Sequence, residues 1–273
     1  MKSILIFFFG IVFLQAKINV AVSIEPQEFF VKKIGADLVE TYVLVPKNKN
    51  PENYEPLLSQ MMFLKNAEVY FGIGMEFEEK WKNRFLSANS KMQFFDLSLM
   101  DEEIKKKKEQ GILSDQHVWL SVNFAKKQAY KIYEVFSALD SKNSEIYKRN
   151  LEKFLKEIDE INIGIKEIFA TSEAKREFLV FHPAFEDFAR EYNLKEWAIE
   201  AYNKETKIKH MQKIYEVIKE KKLKVIYIQP QFSTKQVELL AQQYKMRIST
   251  LDPFASNWGE NLLEMARKIA TEQ

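Results

Sequence analysis

An α/β fold in two halves, separated by a long helical segment, is what this sequence of 273 residues predicts. Short apolar runs alternate with helical patterns in the first half, and the same alternation returns in the second half. The middle of the chain instead keeps a helical periodicity with little punctuation. Strands that alternate with helices form parallel β-α-β units, because a parallel neighbour is reached only through a crossover. We therefore expect two parallel sheets.

Both halves contain short, β-branched, apolar runs that are typical of buried parallel strands. The predicted strands of the first half are 18–24, 39–45, 69–73 and a weaker run around Phe94, Phe95 and Leu97. Those of the second half are 177–181, 223–228 and 246–251. Helical patterns separate the later strands, at about 185–192, 208–222 and 234–244, and a last helix is expected from about 258 to 270.

The middle segment, from about 124 to 169, predicts one long amphipathic helix or two helices with a break near Asp140 and Ser141. Its apolar residues recur at spacings of three and four, and charged residues fill the opposite face. Such a helix is expected to pack on both flanking halves. The predicted division is an N-terminal lobe at 17–140, a linking helix at 141–172 and a C-terminal lobe at 173–273.

The first sixteen residues have the features of a secretory signal peptide, 1–16. Lys2 gives the positive n-region, 4–14 is an apolar run, and Ala16 offers a small residue for cleavage. A buried first strand or an uncleaved anchor is the alternative, but the run is shorter than the roughly 20 residues that span a bilayer. Because the sequence has no cysteine, it also has no lipid-attachment cysteine. We expect a soluble periplasmic protein.

The overall charge excludes a strong general attraction to nucleic acids or to anionic membrane surfaces. Lys and Arg total 41 and Asp and Glu total 39, so the two signs nearly cancel. The composition, with 46% apolar and 29% charged residues, is that of a globular protein. The expectation is a monomer with no nucleic-acid partner.

Polar side chains that can bind metals stand directly after several predicted strands. His182 and Asp252 each follow a strand of the second half, and each precedes a proline. The same arrangement recurs at Glu25 before Pro26 and at Gln229 and Gln231 around Pro230. Ligands of open α/β sheets bind in the crevice beyond the carboxyl ends of the strands. Each residue alone is also typical of an ordinary turn, but together they indicate one polar edge.

Other candidates lie away from the strand ends. Glu52 stands in a turn-rich segment after the second strand, and His117 precedes an apolar run. His117 alone is equally typical of a partly buried structural residue, whereas Asp115 would suit the carboxylate that orients a metal-bound imidazole. His210 lies among lysines and is expected on the surface. The basic tract at 105–108 is expected to form a solvated loop.

The residue types limit the choice of metal. Imidazole and carboxylate groups together suit Zn²⁺, Mn²⁺ and Fe²⁺. The absence of cysteine disfavours Cu(I) and iron–sulfur chemistry. None of the spacings matches a compact zinc motif such as H-E-x-x-H. Any metal site would therefore be assembled from distant segments.

Several segments, taken in chain order, resemble the metal-specific solute-binding proteins of ABC importers, the ZnuA/TroA-like family of zinc and manganese uptake. Residues 51–56 (PENYEP) resemble its P-H-x-Y-x-P loop, 115–121 (DQHVWLS) its D-P-H-x-W-L-S segment, and 181–185 (FHPAF) and 251–253 (LDP) its last two ligand segments. Further matches are 22–26, 67–74, Tyr147 with Asn150, and 231–233. The resemblance covers essentially the whole chain after the signal peptide.

This resemblance implies that Glu52, His117, His182 and Asp252 bind a divalent ion in a cleft between two α/β lobes, which one long rigid helix joins. Glu52 stands where the family normally has a histidine; it either binds the ion or points away and leaves its place to water. Two imidazoles and two carboxylates suit Mn²⁺ or Fe²⁺ better than three imidazoles do. Zinc is still the expected ion, because it binds two imidazoles more tightly than manganese does.

The expected function is that of a non-enzymatic receptor, which captures the ion in the periplasm and delivers it to the permease of an ABC transporter. The rigid helix implies a small closing motion. One alternative is an exported metallo-hydrolase with Glu25 as its general base. The other is a binding or adhesion module that has lost its metal, which the residue at Glu52 suggests.

Overall fold

The computed structural model describes residues 16–47, 49–100, 102–110, 116–171, 173–200, 208–232 and 235–272. Asp115 and all but the last residue of the predicted signal peptide lie outside these ranges, so the roles expected for them stay predictions. Across the described ranges, none of the helices combines the length and the apolar composition that crossing a membrane requires.

Four parallel strands form the sheet of the first lobe. They are β1 (Ile18–Val22), β2 (Val39–Val43), β3 (Val69–Gly72) and β4 (Gln93–Asp96). Their order across the sheet is β2-β1-β3-β4. The central strands β1 and β3 are almost entirely buried, which explains their unbroken apolar sequence.

Helices cover this first sheet. They are α1 (Glu25–Gly35), α2 (Leu58–Leu64), α3 (Glu76–Ala88), α4 (Glu102–Glu109) and α5 (Val122–Leu139). Pro26 lies in the first turn of α1, where the backbone N–H has no partner within the helix, so a proline suits the start of this helix. The prediction of a solvated loop at 105–108 was wrong, because the described part of this tract is helical. Its Lys and Glu residues are strong helix formers.

The second lobe repeats the topology of the first. Its strands are β5 (Glu177–Val180), β6 (Lys195–Ala198), β7 (Val225–Ile228) and β8 (Arg247–Thr250), all parallel, in the order β6-β5-β7-β8. Its helices are α7 (Glu186–Glu191), α8 (Ile208–Lys221), α9 (Lys235–Tyr244) and α10 (Trp258–Glu272). The sequence analysis did not predict β6. This strand is at the edge of the sheet and half-exposed, so its sequence carries charged residues.

The long middle segment consists of two helices, as the second of the two alternatives predicted. α5 ends at Leu139, and α6 (Ser144–Ala170) follows with 27 residues, a length of about 40 Å. Asp140 stabilises the break, since its Oδ2 accepts hydrogen bonds from Asn143 Nδ2 at 2.5 Å and from the Tyr147 hydroxyl at 3.0 Å.

Helix α6 is bonded to both lobes. Asn150 Nδ2 donates to Ile34 O of α1 at 2.9 Å. Further along the helix, Asn162 Oδ1 accepts from the Tyr192 hydroxyl of the second lobe at 3.2 Å. The prediction of two α/β lobes with parallel sheets joined by one long helix is confirmed.

Candidate metal centre

His182 lies two residues beyond β5, at the carboxyl edge of the second sheet. Gln229, one residue beyond β7, fixes its backbone. Gln229 Nε2 donates to His182 O at 2.8 Å, and His182 N donates to Gln229 Oε1 at 3.3 Å. Gln229 is fully buried, so water does not compete for this pair. β5 and β7 flank the point where the strand order reverses, which is where α/β sheets bind ligands.

The imidazole of His182 lies between two carboxylates. Its Nδ1 is 2.9 Å from Glu200 Oε2, and its Nε2 is 3.1 Å from Glu52 Oε1. The second contact has the distance of an ion pair, while Nε2 makes no well-directed hydrogen bond with the residues that the structure describes. Burial alone lowers the pKa of His182, but Glu200 and Glu52 outweigh burial and raise this pKa to about 9. With Nδ1 held by Glu200, Nε2 is the nitrogen available to a ligand.

Glu52 comes from the loop between β2 and α2 of the first lobe. Its backbone N–H donates to Asn50 Oδ1 at 2.9 Å, which makes a local turn of the kind that Asn favours. Farther along the loop, the Tyr54 hydroxyl donates to the buried Gln60 Oε1 at 2.8 Å. These hydrogen bonds order the loop against the first lobe. Glu52 contacts His182 of the second lobe from this ordered loop.

His117 lies just before a short 3-10 turn and is 4% exposed. Its ring centroid is 5.7 Å from that of His182 and 5.1 Å from that of Trp119. Trp119 Nε1–H donates to Pro253 O of the second lobe at 2.7 Å. In turn, Trp258 Nε1–H donates to Trp119 O at 2.7 Å. The segment that carries His117 is thus tied to the second lobe by two indole hydrogen bonds.

Asp252 lies two residues beyond β8. Its Oδ1 accepts hydrogen bonds from Gln231 Nε2 and from Phe254 N, both at 3.0 Å. The Phe254 ring centroid is 5.7 Å from that of His117. In the described part of the chain, no hydrogen bond or ion pair joins Asp252 directly to the other three candidates. The structure connects Asp252 to them through neighbouring residues.

The distances among the candidates can be compared with those around a metal ion. A tetrahedral zinc ion with bonds of about 2.0–2.1 Å separates its donor atoms by roughly 3.3–3.4 Å, and the centroids of two bound imidazoles by roughly 5 Å. The 3.1 Å between His182 Nε2 and Glu52 Oε1 and the 5.7 Å between the two histidine rings are close to these values. Among the described residues, however, no three His, Asp or Glu side chains form a ready-made metal cluster. For both imidazoles to bind one ion, the rings of His117 and His182 would have to approach each other.

Sequence reasoning missed Glu200, which contacts His182 directly. Glu200 lies two residues beyond β6, and its N–H donates to Phe181 O at 2.9 Å, which continues the ladder between β5 and β6. The position after β6 therefore matches the position of His182 after β5. Because β6 was not recognised as a strand, its carboxylate was not recognised as a strand-end residue.

The prediction that His210 lies on the surface was wrong. The residue is half-buried on α8, and its Nε2 is 2.9 Å from Ala198 O at the end of β6. This backbone contact gives His210 a structural role.

Glu25, the general base of the hydrolase alternative, lines a cavity of about 20 Å³ together with Gln231 and Asp252. Burial raises the pKa of Glu25, and the nearby Lys47 opposes the increase. A cavity of this size holds about one water molecule, so it leaves no room for an organic substrate beside the carboxylate.

Comparisons with known proteins agree on one family. The family model described as zinc-uptake complex component A, periplasmic, matches residues 20–272. A putative metal-binding protein of Chlamydia muridarum is 26% identical over 98% of each chain. The manganese ABC transporter substrate-binding lipoprotein PsaA of Streptococcus mitis is 22% identical over 80% of this chain and 74% of its own. A crystal structure of ZnuA matches with a TM-score of 0.83 and 36% identity, over 93% of this chain and 98% of ZnuA.

The structural match covers both lobes and the long helix between them. Members of this family are substrate-binding proteins of ABC importers and not enzymes, which excludes the hydrolase alternative. The chain therefore belongs to the zinc-uptake complex component A family, the substrate-binding proteins of ABC importers for divalent metals.

Proposed function

We propose that this protein captures a zinc ion between its lobes, with Glu52, His117, His182 and Asp252 as ligands, and delivers it to the permease of an ABC transporter. The contact between Glu52 and His182 carries the proposal. It joins donor atoms from the two lobes at nearly the spacing of two ligands on one ion. His117 supplies the second imidazole, and Asp252 supplies the second carboxylate.

Zinc is the proposed ion because the ligand set is small and contains two imidazoles. Zinc binds such a set more tightly than manganese or iron(II) does, and it accepts four tetrahedral ligands. Mn²⁺ or Fe²⁺ is the alternative, since Glu52 and Asp252 make the set harder than one with three imidazoles.

Equilibrium dialysis of the purified protein against zinc, followed by elemental analysis, tests the proposal. We expect about one zinc ion per chain, and we expect an excess of Mn²⁺ to leave most of it bound. If Mn²⁺ displaces the zinc, the proposed ion would be manganese and not zinc. A protein that retains neither metal would contradict the receptor function and favour a binding or adhesion module without a metal.

His182→Ala gives the sharpest test of the ligand set. The substitution removes the residue that both Glu52 and Glu200 contact, so the affinity for zinc should fall by more than about 100-fold. His210→Ala is the matched control, because it removes a half-buried histidine of the same lobe that contacts a backbone carbonyl. Tight binding in the His182 variant would place the site elsewhere.

The proposed location is the periplasm, after removal of residues 1–16. The apolar run at 4–14 and the family's description as periplasmic support this location. N-terminal sequencing of the protein from a periplasmic fraction should begin near Lys17. We further propose a monomer with lobes at 17–140 and 173–273, which limited proteolysis and light scattering would test.

A further inference from the structure

Gln231 is outside the proposed ligand set but contacts one of its members. It lies in the turn after β7, and Asp252 lies in the turn after β8. These strands are parallel neighbours, so both side chains reach the same edge of the sheet. Gln231 Nε2 donates to Asp252 Oδ1 at 3.0 Å, and Phe254 N donates to the same oxygen at 3.0 Å.

The two oxygens of Asp252 therefore differ. A carboxylate oxygen has about two lone-pair sites, and both sites of Oδ1 are engaged by these N–H donors. Oδ2 accepts no hydrogen bond from the residues that the structure describes. Oδ2 is consequently the oxygen available to an ion, and Oδ1 is held back from it.

We propose that Gln231 is a specificity-determining positioning residue, which restricts Asp252 to binding the ion through one oxygen. One-oxygen binding keeps the coordination number low and favours a small tetrahedral ion such as zinc. Ions that prefer six oxygen-rich ligands, such as Mn²⁺, gain more from a carboxylate that binds through both oxygens. The inference rests on the proposed function, because it requires Asp252 to be a ligand.

The other end of the Gln231 amide supports this role. Its Oε1 is buried and has no hydrogen-bond partner among the described residues. Turning the amide over would place Oε1 against Asp252 Oδ1, and two acceptors repel each other, so the orientation follows from the carboxylate. A buried acceptor without a partner is destabilising. This unfavourable position of Oε1 is found where the N–H₂ group of the same amide donates to Asp252.

Gln231→Ala tests the proposal through metal selectivity. In the variant, Oδ1 loses one of its two donors, so both oxygens can approach the ion. We expect the ratio of zinc affinity to manganese affinity to fall by about tenfold, at the low end of the effects of outer partners on metal sites. Bound Co²⁺ should lose intensity in its visible absorption bands as its coordination number rises above four. Gln242→Ala, an exposed glutamine on α9, is the matched control.

Three outcomes separate the possibilities. An unchanged affinity ratio and Co²⁺ spectrum, with normal zinc binding by the unmodified protein, would overturn the role of Gln231 and leave the proposed function intact. Equal weakening of both metals with an unchanged spectrum would show a merely structural role and would also overturn it. Failure of the unmodified protein to bind any metal would instead overturn the proposed function. If Gln231→Ala does not fold, Gln231→Met keeps the length, lacks the donor and should give the same change in selectivity.

Discussion

The two lobes share one topology but use the ends of their strands differently. In the first lobe, Val45 N donates to Ser23 O at 3.0 Å just beyond β1 and β2. At the corresponding place in the second lobe, Glu200 N donates to Phe181 O at 2.9 Å just beyond β5 and β6. Val45 is therefore the counterpart of Glu200. A buried apolar side chain in one lobe stands where the other lobe has a carboxylate.

The next positions differ in the same way. Ile24, which is buried, corresponds to His182. The first lobe has a buried carboxylate here, that of Glu78. Glu78 accepts hydrogen bonds from Ile73 N at 2.9 Å, from Gly74 N at 2.8 Å and from the Ser23 hydroxyl. At this place in the first lobe, Ser23 and Glu78 are thus paired with each other.

This difference would make the proposed site asymmetric. The second lobe would contribute ligands directly from its strand ends, through His182 and Asp252. The first lobe, where Ser23 and Glu78 pair at the strand ends, would contribute ligands from connecting segments instead. Glu52 comes from the loop after β2, and His117 comes from the segment before α5.

The largest expected effect concerns the buried acid of the first lobe. Burial raises the pKa of Glu78 to about 7 from its ordinary 4.5, so the folded state holds this proton more tightly than the unfolded state. The stabilisation is complete below pH 4.5 and is lost as the pH rises through 7. The difference corresponds to about 3 kcal/mol. Glu78→Gln should remove this loss, measured as the free energy of unfolding in urea across that pH range.

Glu79→Gln is the control for this experiment, because Glu79 is the exposed neighbour on the same turn of α3. It should leave the pH dependence as it is. An identical loss of stability in the unmodified protein and in Glu78→Gln would show that another group is responsible.

The next effect concerns the strand-end carboxylate of the second lobe. Glu200→Gln removes the charge that holds His182 Nδ1, and the loss of such an orienting partner weakens metal binding by about 10–100-fold. Zinc affinity measured by competition with a chelator would reveal the change. Glu177→Gln, at the opposite end of β5, should bind zinc as the unmodified protein does. Full affinity in Glu200→Gln would mean that the lobes do not differ in the way described above.

The smallest effect concerns one of the hydrogen bonds between the lobes, the bond from Trp119 to Pro253. Trp119→Phe keeps an aromatic ring but removes the donor to Pro253 O, which should lower the free energy of unfolding by about 1 kcal/mol. Zinc affinity should fall a few-fold as well, since His117 and Asp252 lie beside the lost bond. Trp197→Phe removes a bond to Glu177 within the second lobe and should lower stability alone. Equal zinc affinities in the two variants would contradict a coupling between the lobes through Trp119.

Much of the fold could be predicted because its central strands are buried on both faces. Burial on both faces forces an unbroken apolar sequence, which is easy to recognise in β1, β3, β5 and β7. The edge strand β6 is only partly buried and begins with Lys195 and Glu196, so its pattern does not differ from that of a polar segment. The prediction of a loop in place of helix α4 was wrong for another reason, because a charged composition suits a solvated helix and a loop equally well.

The candidate site was predictable only where strand ends meet. His182 and Asp252 follow recognisable strands, so the edge of a parallel sheet connects them. Glu52 and His117 lie in connecting segments, whose path depends on tertiary contacts such as those of Gln60 and Trp119. No periodicity marks such residues, and the family resemblance was the main indication that they bind an ion. Glu200 could be identified as a strand-end residue only if β6 had been recognised as a strand.

The contacts of α10 have a consequence for the order in which the fold forms. Trp258 of this helix donates to Trp119 O, and Asn261 Nδ2 donates to Asp252 O at 2.8 Å. Trp119 and Trp258 are 139 residues apart, so their hydrogen bond closes a large loop and carries a cost in chain entropy. Contacts of this range form late in folding. The site proposed above would therefore form together with the complete fold, and neither lobe alone would hold an ion in the same way.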